Sequence, residues 1–212
     1  MVEKELLFIR NGEIRLEGEF FQTNKNQVNS AVLICHPHPE YGGNMYNNVV
    51  SGVFNNLIKN KISCLRFNFR GVGSSTGNHS DGSGELSDVI SCIDFLINKK
   101  KYEIIILCGY SYGAAIGCSA INHSNKVIGY ISISFPWDFM GPKYKELSQS
   151  TKEKLFIQGN QDTIASYENF ETHYSFYHEP KKKFIIDGGD HFYRGHEEHL
   201  AQEVLKFYNL IV

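Results

Sequence analysis

The sequence predicts an α/β fold built on a mostly parallel sheet, and three observations carry that expectation. Short, nearly continuous apolar runs recur along the chain, the clearest being Ile104-Ile105-Ile106-Leu107-Cys108; a strand covered on both faces reads this way. Helical periodicity lies between such runs, as in Leu86, Val89, Ile90, Ile93, Leu96 and Ile97. Near the start, Asn11-Gly12 separates two alternating segments, a strong signal for a tight antiparallel hairpin.

In chain order, residues 4–10 and 13–21 form the hairpin, with Ile14, Leu16 and Phe20 alternating with charged neighbours so that one face stays wet. A polar stretch, TNKNQVNS, follows. Buried strands are then expected at 31–35, 62–67, 103–109, 127–134, 154–158 and 183–186. Helices are expected between them at about 44–59, 85–98, 112–122 and 164–177, with a last one at about 196–208. Right-handed crossovers place helices on both faces of an eight-stranded sheet. There is no internal repeat, low-complexity tract or Pro/Gly-rich linker, so 1–212 reads as one domain, the hairpin of 1–21 included.

The chain has 212 residues, 42% of them hydrophobic and 21% charged, with a formal net charge of −2. That is a globular composition with no basic excess for nucleic acid or an anionic membrane. The five cysteines, Cys35, Cys64, Cys92, Cys108 and Cys118, make no CxxC pair, and three of them lie in apolar runs. They read as small hydrophobes in a reducing compartment. The opening MVEKELLFIR alternates charges and does not resemble a secretory leader. No apolar run approaches the roughly 20 residues that span a bilayer. The expectation is a soluble, cytoplasmic protein.

The chemistry-bearing motif is Gly109-Tyr110-Ser111-Tyr112-Gly113, a match to G-x-S-x-G. The pattern also occurs at Gly73-Ser74-Ser75-Thr76-Gly77, so it discriminates only through context. Ser111 follows an apolar strand and precedes a small-residue helix face of Ala114, Ala115, Gly117 and Ala120. A serine nucleophile on a strained strand-to-helix turn needs that setting, and the new helix points its N–H groups at developing negative charge. Ser75 sits in a long glycine-rich loop with no helix directly after it.

A serine hydroxyl becomes a nucleophile when an imidazole takes its proton and a carboxylate fixes that imidazole's tautomer. Asp162 follows the strand ending in Gln158, and His191 follows the strand ending in Ile186. Both fall at carboxyl ends of parallel strands, where open α/β sheets place their sites. Asp138 is a competing acid, while Asp187 and Asp190 read as turn residues. Of the nine histidines, His196 and His199 lie in or near the last helix. With His191 they do not make an HExxH spacing, so neither a metal nor a cofactor is expected.

His36-Pro37-His38-Pro39 directly follows the first parallel strand, where an oxyanion donor would be drawn from the loop before the first helix. Prolines have no N–H, so the expected donors are the backbone N–H groups of Tyr112 and His38. An interval of only 137–151 stands where a lid would be inserted. That leaves an open site with Tyr41, Tyr110, Trp137, Phe139 and Phe192 as expected pocket residues, beside Tyr112 and Tyr193.

Taken together, the elbow, the HPHP loop, LRFNFRGVGSSTG, QGNQD and GGDHFYRG resemble the small lidless bacterial α/β-hydrolases related to dienelactone hydrolase and to serine-peptidase hydrolase domains. The resemblance spans about 31–195 and implies an eight-stranded sheet with a Ser111–Asp162–His191 triad, and it leaves the substrate open. The open aromatic rim favours a small ester-type substrate, a carboxylester or thioester; the alternatives are a peptidase or amidase of the same fold and a non-catalytic binding protein. Dienelactone hydrolases proper carry cysteine at the nucleophile position, where this chain has serine.

Overall fold

The computed structural model describes residues 4–23 and 28–212. Met1 to Glu3 of the opening segment, and positions 24–27 of the polar stretch, lie outside the described residues. Asn11 and Gly12 close the hairpin of β1 (Lys4–Asn11) and β2 (Ile14–Phe21), with Gly12 at φ +58°. The apolar runs become β3 (Ser30–Cys35), β4 (Ser63–Phe67), β5 (Ile104–Tyr110), β6 (Val127–Ile133), β7 (Glu153–Gly159) and β8 (Lys181–Ile186). The eight lie in one sheet in the order β1-β2-β4-β3-β5-β6-β7-β8. β2 pairs antiparallel with both β1 and β4, and every other pairing is parallel.

The alternation of side chains along these strands divides the core into two layers. On one face Leu33, Leu65, Ile105 and Leu107 meet α2 (Ser83–Asp94), α3 (Tyr112–Cys118) and α6 (Tyr167–Ser175). On the other, Val32, Ile34, Ile106 and Cys108 meet α1 (Asn48–Lys59) and α7 (Glu197–Ile211), which also pack on each other. All five cysteines are free and buried, consistent with their reading as small hydrophobes. Among the described residues, no helix is long and apolar enough to cross a membrane.

Several helices are shorter than their periodicity predicts, because polar side chains capture the backbone at their ends. The first starts at residue 48 because Asn47 caps it, its carboxamide accepting from the Val49 N–H at 3.0 Å. α3 stops at Cys118 and not near 122: Ser119 Oγ donates to the Ala115 carbonyl at 2.7 Å, with the Tyr144 carbonyl a second acceptor within reach at 3.1 Å. α6 begins at residue 167, since 163–166 wrap around the Asp162 carboxylate. The interval between β6 and β7 holds two short helices that periodicity had not revealed, α4 (Trp137–Met140) and α5 (Pro142–Leu147), with no large lid.

Candidate active site

β5 delivers Ser111 to the carboxyl edge of the sheet, and α3 leaves immediately after it. Between them Ser111 adopts φ +56°, ψ −121°, a conformation costly for any residue with a Cβ. The neighbourhood over-determines it. Ser111 N–H donates to Ile133 O at 2.8 Å, and the Ser111 carbonyl accepts from Ala114 N–H at 2.8 Å. The flanking glycines supply space: a Cβ on Gly109 would lie 2.2 Å from Gly113 O, and one on Gly113 would lie 2.4 Å from Cys35 O. The second of these contacts seats the start of α3 against the end of β3.

The acid and the base reach the same edge from β7 and β8. Their loops are stitched together, with Gln161 N–H donating to Gly189 O at 2.9 Å and Gly159 too close to Gly189 O to carry a side chain. His191 Nε2 lies 2.9 Å from Ser111 Oγ, and His191 Nδ1 lies 2.9 and 3.1 Å from the two oxygens of Asp162. All three side chains are buried. Asp162 is held from below as well. Its Oδ1 accepts the N–H groups of Ile164 and Ala165, and its Oδ2 accepts Ser134 Oγ–H at 2.7 Å. Because Ser134 spends its single proton on Asp162, the hydroxyl of Tyr193, 2.6 Å from Ser134 Oγ, is the donor in that contact. Burial raises the Tyr193 phenol well above its ordinary range, so it keeps its proton.

Those partners fix the direction of the imidazole. The carboxylate only accepts, so Nδ1 carries the ring proton and Nε2 presents its lone pair to Ser111. The ring is braced by Tyr110, whose hydroxyl donates to His191 O at 2.5 Å. Asp190 accepts from the N–H groups of Phe192 and Tyr193, the turn role its position implied.

On the opposite side of Ser111, the HPHP loop folds back on itself, with His38 O accepting from the Tyr41 and Gly43 N–H groups. His36 is fully buried. Its Nε2 accepts from Phe69 N–H at 3.0 Å and its Nδ1–H donates to Pro37 O at 2.6 Å. Burial pushes its pKa down to about 4, so it is a neutral fixture of the loop base. His38 is half-buried, ring against ring with Tyr112 at 4.6 Å and His79 at 5.2 Å; burial, then His79, lowers its pKa. Tyr112 is the first residue of α3, where helix geometry leaves the N–H without an intrahelical partner.

Residues 29–206 match a family described as an alpha/beta hydrolase domain. This chain belongs to that family. It is 29% identical over 210 residues to an uncharacterized protein of Rickettsia prowazekii, covering 93% of this chain and 86% of that one. A solved alpha-beta serine hydrolase homologue from Coxiella burnetii superposes with a TM-score of 0.87 at 28% identity, covering 97% of each chain. A human mitochondrial palmitoyl-protein thioesterase is 30% identical over 130 residues, which make up 58% of this chain and 41% of that protein. The chain is accordingly a hydrolase of the α/β-hydrolase fold.

The aromatic rim of this hydrolase differs from the one expected. Tyr41, Phe139 and Phe192 are exposed, at 88%, 74% and 52%. Trp137 is not a rim residue: it lies in the core, stacked between Phe135 and His173, with its indole N–H donating to Tyr177 OH at 2.9 Å. Tyr110, bonded to His191 O, is likewise buried, as are Tyr112 and Tyr193. Their polar tips find partners or burial inside, which a run of aromatic letters does not disclose. Asp138, the competing acid, has its carboxylate engaged by His173 Nε2 (3.0 Å) and Asn169 (3.1 Å), while His191 Nδ1 meets Asp162. Sequence reasoning missed Ser134 altogether, because its role follows from a positive φ of 48° at the end of β6 that no local motif marks.

Proposed function

We propose that this hydrolase cleaves a small ester-type substrate, a carboxylester or thioester, through an acyl-enzyme on Ser111. The observation that carries the proposal is the unbroken chain Ser111 Oγ–His191–Asp162, with both imidazole contacts near 2.9 Å. His191 Nε2 takes the Ser111 proton as Oγ attacks the carbonyl carbon. The resulting oxyanion is held by the N–H groups of Tyr112 and His38, the first aided by the N-terminal end of α3. Collapse expels the alkoxide or thiolate, which receives the proton from His191. Water, deprotonated by the same ring, then releases the acid and restores the serine.

The exposed Tyr41, Phe139 and Phe192 and the absence of a large lid support substrates whose leaving group protrudes into solvent. The similarity to a palmitoyl-protein thioesterase supports including thioesters beside carboxylesters. The free, buried cysteines support a reducing, cytoplasmic setting.

Short p-nitrophenyl esters and thioesters, together with fluorophosphonate labelling, test the reading. Wild type should turn over the esters and take one label; Ser111→Ala should lose the label and at least about 10³-fold in kcat. Undiminished activity in Ser111→Ala would remove the proposal.

A further inference from the structure

Beside the HPHP loop the fold gathers His38, Glu40 and His79, whose ligand atoms all lie within 4.8 Å of one another. They come from separate stretches of chain, the loop after β3 and the loop before α2, so local sequence does not force the meeting. We propose that this cluster is a binding site for a divalent transition ion of the zinc class, which staples the two loops together.

The donor set fits such an ion, since two imidazoles and a carboxylate suit a borderline cation of this kind. His79 Nε2 lies 4.0 Å from Glu40 Oε2 and 3.8 Å from Asp81 Oδ1. These gaps are too long for hydrogen bonds and close to the separation of about 3.4 Å between ligands on a tetrahedral ion with 2.1 Å bonds. Glu40 and Asp81 are exposed, so closing the remaining gap requires only rotation of their side chains.

His79 has a buried carboxylate beside its second ring nitrogen, the kind of group that backs a metal-bound imidazole. Its Nδ1 lies 3.0 Å from Oε1 of Glu85, a carboxylate with no exposed surface. Glu85 is itself fixed by the N–H groups of Ser80 and Gly82, at 3.0 and 2.8 Å. The approach is an ion-pair contact without hydrogen-bond geometry; a small turn of the ring would seat Nδ1–H on the carboxylate, and a carboxylate so placed orients the other nitrogen toward an ion. His38 currently accepts Glu40 N–H on Nδ1 at 3.2 Å; coordination through that nitrogen exchanges a long hydrogen bond for a metal bond. Tyr112 packs against both rings and is itself buried.

Chelator-stripped protein titrated with ZnCl₂ by calorimetry and equilibrium dialysis tests the site. Wild type should bind one equivalent and show a Tm rise of about 5–10 °C at a hundredfold excess over Kd. His79→Ala and the exposed Glu40→Gln should each weaken binding, the first by at least about 100-fold. Circular dichroism verifies that both variants are folded. Ser111→Ala should bind zinc as wild type does, which separates this result from the fate of the proposed hydrolysis. No saturable equivalent in wild type, or an equivalent unchanged in both cluster variants, would overturn the proposal.

Discussion

Ser111 and Ser75 share one five-residue pattern, and the fold uses them differently. Ser111 Oγ faces an imidazole at 2.9 Å. Ser75 Oγ donates to Asn68 O at 2.8 Å and accepts Glu17 N–H at 2.9 Å, binding its loop to β2. Their glycines differ in kind as well. Gly73 and Gly77 have φ of +56° and +86°, so the path of the backbone requires them, and the atoms a Cβ would crowd there are side chains, Asn68 and Glu17 for the first and Ile14 for the second. Gly109 and Gly113 serve space, since main chain lies within 2.4 Å of where their Cβ atoms would be. A pattern of letters therefore records two unrelated demands, and only the surroundings tell which one applies.

The comparison is broken most severely at the groups behind Ser111. Asp162→Asn keeps the shape of the site but offers an amide where the carboxylate accepts Ser134 Oγ–H and faces His191 Nδ1. The imidazole then loses its reason to hold the proton on Nδ1. Activity toward the best p-nitrophenyl ester should fall by about 10⁴-fold in kcat, with KM little changed. A loss under tenfold would mean that Asp162 is not the acid. No substitution around Ser75 should approach this effect.

The next test lies under the Ser75 loop, where His36 Nε2 receives Phe69 N–H. Burial holds this imidazole at a pKa of about 4, against an ordinary value of 6.5. Between those two pH values the unfolded chain binds a proton that the folded chain refuses, so stability falls as pH is lowered through the window. The loss amounts to about 3 kcal/mol when complete and is absent above the ordinary value. Urea denaturation from pH 8 to pH 4 should show this slope in wild type. His36→Asn should be less stable at pH 8 and have a flatter profile below 6.5. Parallel profiles would show that His36 is not the group responsible.

How much was legible follows the same division. The order of strands and helices, the strand-to-helix turn at Ser111, and the position of Asp162 and His191 on loops after β7 and β8 could be read because each depends on local pattern: apolar runs, period and turn residues. Helix ends were misjudged where a single side chain, such as Asn47 or Ser119, captures the backbone. Trp137 was misplaced because its partners, His173 and Tyr177, lie some 40 positions on and reach it only through the fold. Ser134, Tyr193 behind it, and the meeting of His38 with His79 are likewise products of tertiary proximity. One sequence carries no local trace of such meetings.

A smaller effect belongs to Ser75 itself. Ser75→Ala leaves Asn68 O and Glu17 N–H each short of a partner in a largely buried setting, at a cost of about 1–3 kcal/mol. Fluorophosphonate labelling and ester turnover should stay within twofold of wild type. A Ser75→Ala protein of unchanged stability that loses activity would reverse the assignment of the two serines.

The smallest expected change sharpens the contrast from the other side. Ser111 is strained at φ +56° and its hydroxyl faces His191, whereas the Ser75 hydroxyl is spent on backbone partners. Glycine at 111 accepts the same backbone torsions without the Cβ clash. Its larger entropy in the unfolded chain offsets part of that relief. Ser111→Gly should therefore be inactive yet more stable than Ser111→Ala, by about 1 kcal/mol in urea denaturation. If alanine and glycine were equally stable there, the turn would store no strain, and the sharp geometry of the elbow would have to be maintained by its neighbours at no cost.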